Sequence, residues 1–158
     1  RKYGEERQAR RIARAIVGKR RQEPIETTQQ LRRVVVGAQS RRPGPPPRID
    51  PATRVFQALR IAVNQELSEV EELVRQTARL LADDGRLVMI SYHSLEDRLV
   101  KNAFRDQARG EVDHITGRPR SETRLLEVLT RKPIRATAQE VATNRRARSA
   151  RLRAARRI

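Results

Sequence analysis

A chain of 158 residues, 37% apolar and only 3% aromatic, is one modest domain or a piece of a larger one, with a thin aliphatic core. The absence of cysteine excludes a disulfide framework, a thiolate metal site and a cysteine nucleophile, and it fits a reducing, cytoplasmic setting. The net charge of +17 is unevenly spread: +10 over residues 1–48, −3 over 49–100 and +10 over 101–158. Nearly all the cations are Arg, which forks onto phosphate and stacks on bases, so nucleic acid is the leading partner. No stretch approaches the roughly 18 apolar residues of a membrane span, and the Arg-rich start lacks the apolar segment of a signal peptide. No membrane partner is expected.

In chain order, Arg1 to Arg21 has helical spacing. Ala9, Ile12, Ala13, Ile16 and Val17 share one face, and Arg10, Arg11, Arg14, Lys19, Arg20 and Arg21 lie largely around the other. Pro24 ends it. Thr27 or Thr28 caps a second helix through Leu31, Val34 and Val35. Residues 37–51 hold two glycines and five prolines and read as an exposed connector, with Arg41, Arg42 and Arg48 available to phosphate. Asp50 and Pro51 then open a helical stretch running to about Leu81, with a break expected at Ser68, where Glu71 follows as in a capping box.

Residues 85–98 organise the chain. Leu87 to Ile90 is a short apolar run that predicts a fully buried strand after a turn at Gly85. It breaks into Ser91, Tyr92, His93 and Ser94, and a helix follows from Leu95 to about Ala108. In open α/β sheets ligands sit beyond the carboxyl ends of strands, so this loop is a candidate site. The structural alternative is that Ser94 caps the next helix, His93 is a turn residue, and Glu96 and Asp97 are cap and salt-bridge partners. Residues 109–122 read as a mobile polar loop, 125–129 as a strand and 138–142 as a short helix capped by Thr137. Ala147 to Ile158 alternates Arg with small and apolar residues. It is either a basic helical tail or a strand pairing with 125–129.

No glycine-rich nucleotide loop, His-Glu-x-x-His or localisable carboxylate pair is present, and His93 and His114 lack metal-ligand spacing. The residues alone reach an α/β half-domain with basic flanks, and no reaction.

Four blocks carry a resemblance. They are Tyr3 to Ile16, Ala52 to Asn64, Gly85 to Arg98 with its Ser-Tyr-His-Ser-Leu-Glu-Asp-Arg, and Asn144 to Arg153. In this order they resemble the bacterial 16S ribosomal RNA cytidine N4-methyltransferase family of the RsmH or MraW type, over essentially the whole chain. The resemblance implies that this is the carboxyl-terminal half of such a protein, with the glycine-rich S-adenosylmethionine loop lying upstream. The implied fold is the α/β carboxyl-terminal half of a class I, Rossmann-like methyltransferase sheet plus part of a helical insertion domain. Residues 1–48 would belong to the RNA-binding insertion and 52–158 to the methyltransferase domain. Strands would lie at 86–91, 125–129 and about 148–157, the last antiparallel. Asp50 stands where the family usually has His, Tyr92 where it has Phe, and Arg145 where it has Pro.

The implied reaction moves a methyl group from S-adenosylmethionine to the exocyclic N4 of a cytidine in small-subunit ribosomal RNA. In that setting Ser91, Tyr92 and Ser94 would wall the base pocket, with Tyr92 stacking and His93 accepting the proton. Arg54, Gln57 and Arg60, at helical spacing of three, would face RNA, and Asn144, Arg146 and Ser149 would also serve substrate binding. An isolated half-sheet exposes an edge and an apolar face, which calls for its missing amino-terminal half or a second copy. A non-catalytic RNA-binding or ribosome-assembly protein that keeps the back half of the fold is the alternative.

Overall fold

The computed structural model describes residues 2–39 and 49–158, so most of the expected proline-rich connector, with Arg41, Arg42 and Arg48, lies outside the described residues. Contacts divide the chain into two compact units, Arg1–Glu66 and Leu67–Ile158.

The first unit is helical. α1 (Ala9–Gln22) starts later than the spacing suggested, because residues 2–7 form turns in which Glu6 accepts the Gln8 N–H at 2.8 Å. A Cβ on Gly4 would lie 2.3 Å from the carbonyl oxygen of Arg54, so only glycine lets that turn approach the helix that carries Arg54. α2 (Thr28–Ala38) is capped as expected by Thr27, whose side chain accepts the Gln30 N–H while Gln30 reaches back to the Thr27 N–H. Ile12 of α1, Val35 and Ala38 of α2, and Ala52 form the buried core, with Val55 and Phe56 of α3 (Thr53–Asn64) against it. The cap position of α3 falls to Ala52, which makes no side-chain cap bond, and Asp50, expected as the cap, stands two residues before it. Asp50 accepts the Ala52 N–H at 2.8 Å and pairs with Arg32 at 2.6 Å, and the two hold its carboxyl below the usual range.

The long helix does break, but at Gln65, which adopts φ 53°, and α4 (Glu66–Leu80) begins immediately after it. Ser68 therefore falls inside α4 and is not its cap.

In the second unit β1 (Arg86–Ser91), β2 (Leu126–Val128), β3 (Ile134–Arg135) and β4 (Arg151–Arg157) make a small sheet of order β1-β4-β2. Every pairing is antiparallel to β4, so β1 and β2 run the same way on either side of a reversed strand. The final segment is thus a strand that pairs with residues 126–128, after a 3-10 turn at Arg145–Ser149. The two-residue β3 was not anticipated. α6 (Ala138–Thr143) is capped by Thr137 as expected.

The core of this unit joins Val74 and Ala78 of α4, Val100 and Phe104 of α5 (Ser94–Arg109), Leu126 and Ala155. Each fully buried large side chain here, Phe104 foremost, contributes about 1.5–3 kcal/mol of transfer free energy. The helices cover one sheet face. On the other, Val88 and Ile90 are 52% and 55% exposed beside Ala154 and Leu152, and Ile134 is exposed too. The expectation of a fully buried strand is corrected: β1 is an edge strand with one covered face.

Residues 110–124, which take in most of the loop expected at 109–122, are internally hydrogen-bonded around a Val112–Pro119 bridge. Gly110 sits at φ 79°, where a Cβ would meet the Arg120 carbonyl oxygen at 2.5 Å. Asp113 accepts N–H groups of Thr116 and Ile115 and pairs with Arg120. The Thr116 N–H, then Arg120, then the Ile115 N–H hold its carboxyl down at about 2. Because the folded value is below the ordinary 3.8, this stabilisation is complete above that value and is lost as pH falls through about 2. The Ile115 and Thr116 amide resonances should therefore titrate with a midpoint near 2, and in Asp113→Asn the titration should vanish.

Candidate active-site turn and basic sheet end

β1 ends where its last side chain turns inward. Ser91 is 4% exposed and its hydroxyl donates to the Arg151 carbonyl at 3.4 Å. Tyr92 comes next with its side chain outward, 56% exposed. His93, not Ser94, occupies the cap position of α5, and Ser94 is the first helical residue. The His93 Nδ1 accepts the Glu96 N–H at 3.2 Å, and Glu96 Oε2 accepts the N–H groups of Tyr92 at 3.0 Å and His93 at 3.4 Å. This is a capping box with imidazole in the usual hydroxyl's place, and it fixes the turn through three backbone donors. Since Nδ1 accepts, the neutral ring carries its proton on Nε2, which is buried 3.1 Å from Glu96 Oε1 without hydrogen-bond geometry.

Asp97, the next residue, reaches across to β4. Its carboxylate takes Arg153 Nε at 2.7 Å and Nη2 at 3.3 Å, with Arg151 3.6 Å away. Arg153 is 5% exposed, so this pair clamps the start of α5 to the central strand. Glu96 and Asp97 thus serve as cap and salt-bridge partner, the structural roles allowed for them from sequence.

Asn144, Arg146 and Ser149 are exposed on the 3-10 turn that leads into β4, and Asn144 Oδ1 accepts the Arg146 N–H at 3.1 Å. The register places Arg151 opposite Ser91 on one side and Arg135 on the other, which brings this turn to the same sheet end as Tyr92. Arg54, Gln57 and Arg60 belong to the first unit, on α3. Arg54 is exposed, Gln57 half-buried, and Arg60 is paired with Glu66 at 2.8 and 3.1 Å. Sequence reasoning missed Arg135, Arg145 and Arg148, whose place at this end follows from pairing that no local pattern reveals. It also missed the Glu96–His93 box, although the spacing of three was visible.

The second unit thus sets a reversed β4 between β1 and β2, which run the same way, with a polar turn at the end of β1. The MraW methylase family model matches residues 1–158, and the chain belongs to that family. It is 52% identical to the ribosomal RNA small subunit methyltransferase H of Thermomicrobium roseum, covering 99% of this chain and 48% of the relative. The proteins of the same name from Oleidesulfovibrio alaskensis and Geotalea uraniireducens are each 50% identical, over 99% of this chain and 49% and 50% of their own lengths. The chain spans about half the length of the curated relatives it matches, and that half is the carboxyl-terminal one.

Proposed function

We propose that the intact protein methylates N4 of a cytidine in the 16S RNA of the small ribosomal subunit, in the cytoplasm, with S-adenosylmethionine as donor. The observation that carries this is the family match over all 158 residues, with relatives named as small-subunit RNA methyltransferases. The strand order, a reversed β4 between parallel β1 and β2, supports a class I, Rossmann-like sheet. The exposed apolar strip of Val88, Ile90 and Ile134 supports an amino-terminal half that covers it. We assign residues 1–48 to the helical insertion and 52–158 to the methyltransferase domain.

Most polar groups at the end of β1 are engaged within the turn itself. The Ser91 hydroxyl is spent on Arg151, His93 Nδ1 on Glu96, and the Glu96 carboxylate on backbone N–H groups. Cofactor binding is assigned to the amino-terminal half, where the resemblance puts the glycine-rich loop. This turn serves the base. The N4 amine of cytosine is a weak nucleophile because its lone pair is delocalised into the ring, so the base must leave its stack and be held in line for transfer. The exposed Tyr92 ring offers the stacking face, and the capping box fixes the backbone that carries it. With Nδ1 taken, His93 is a positioning residue, and the N4 proton leaves to a group outside this turn.

The reading is tested with intact protein, labelled S-adenosylmethionine and small subunits lacking the modification. Label should appear as N4-methylcytidine after digestion to nucleosides. No transfer, or a methyl on another atom, would overturn it. His93→Asn keeps a capping acceptor and should keep the wild-type pH–rate profile. His93→Ala should lose about 0.5–2 kcal/mol of stability and some activity. An acidic limb that vanishes in His93→Asn would make His93 the base.

A further inference from the structure

The cations on and next to β4 fall into two classes. Those of β4 are engaged by the protein itself: Arg151 and Arg153 by Asp97, Arg156 by Glu127 at 2.7 Å and Asp84 at 3.1 Å, and Arg157 by the Leu125 carbonyl at 3.0 Å. The cations just outside β4 are the opposite. Arg131, Lys132, Arg135, Arg145, Arg146 and Arg148 are all exposed, and none has an ion-pair partner among the described residues. Between residues 129 and 149 the sequence offers a single carboxylate, Glu140, against these six cations.

We propose that these six side chains grip the phosphates of single-stranded ribosomal RNA flanking the base held at Tyr92. The inference rests on the proposed function, whose RNA substrate it takes as given. Position supports it: Arg135 and Ser91 flank the same β4 residue, so the patch begins about two strand spacings, roughly 10 Å, from the Tyr92 turn. A basic track beside an exposed aromatic ring is the general means of holding single strands, with cations on the backbone and a ring under a base.

The presenting backbone is rigid. The 3-10 turn is closed by Asn144 capping Arg146, by the Ala147 N–H to the Asn144 carbonyl at 3.0 Å, and by Ala147 buried at 6% exposure. Three guanidinium groups are therefore offered from a fixed frame, which lowers the ordering cost of binding. In free protein the six like charges repel one another with no internal compensation, and phosphates relieve that repulsion.

The experiment uses the intact protein and two triple variants, Arg145→Ala/Arg146→Ala/Arg148→Ala and Arg131→Ala/Lys132→Ala/Arg135→Ala. The probe is a protein-free 16S RNA fragment titrated over a range of salt. Each triple variant should lower the slope of log K against log salt by about two, as three lost single-strand phosphate contacts require. The KM for RNA should rise tenfold or more, and Tm should stay at the wild-type value because the side chains are exposed. Unchanged slopes on naked RNA overturn the proposal, and so does a loss confined to assembled subunits, which would make this a protein-docking face. Reduced slopes in a protein that transfers no methyl group would uphold the surface while the proposed function fails.

Discussion

Asp97→Ala is expected to destabilise the intact protein by about 3–5 kcal/mol, read as a fall in the urea midpoint at unchanged m-value. Asp97 is the carboxylate facing two guanidinium groups, and one of them, Arg153, has a side chain only 6% exposed. Removing the acid strands a cation where water cannot reach it, and that desolvation, more than the lost attraction, sets the size of the effect. The Lys19–Glu23 pair, at a similar 2.6 Å, stands in solvent with side chains 42% and 60% exposed, and its removal should be nearly silent. Adding Arg153→Met to Asp97→Ala should restore most of the loss, since the orphaned charge is gone. A double variant as unstable as the single would show that packing of the aspartate, not charge, accounts for the effect.

Tyr92→Ala should lower kcat/KM for the RNA substrate by about 5- to 150-fold, the equivalent of one stacked base at about 1–3 kcal/mol. The ring is 56% exposed and its backbone N–H is held by Glu96, so truncation removes a stacking surface and little of the fold. Tyr92→Phe keeps the ring and should stay near wild type. An equal loss in Tyr92→Phe would assign the contribution to the phenol oxygen as a hydrogen-bonding group.

What could be read from sequence follows the range of the forces involved. β1 was legible because an apolar run bounded by Gly85 and Ser91 is a local signal, and Thr27 and Thr137 were legible because a cap acts within one turn. The break at Gln65 was misplaced by three residues. A glutamine at φ 53° carries no propensity signature, while Ser68 imitates a cap. The burial of β1 was overestimated because an apolar run shows only that both faces suit burial, and here one face lacks its cover. The Asp97–Arg153 clamp joins residues 56 positions apart, and the basic end of the sheet depends on β4 aligning Arg135 with Ser91. Neither leaves a trace in any short window.

The central place of β4 also governs the order in which this unit can assemble. β1 and β2 do not touch each other, and both wait for a strand whose partners lie 60 to 70 residues earlier in β1. A chain emerging from the ribosome only as far as Ala150 has made α4, β1, α5 and β2, and the helices can pack on both strands, yet it lacks the strand that hydrogen-bonds β1 and β2 into a sheet. Through that interval Ala155 is missing from the core shared with Phe104 and Leu126, and the edges of β1 and β2 that pair with β4 stay open. Closure then comes in one late, long-range step when residues 151–157 appear, so this unit is at its most vulnerable to aggregation just before its last strand is made.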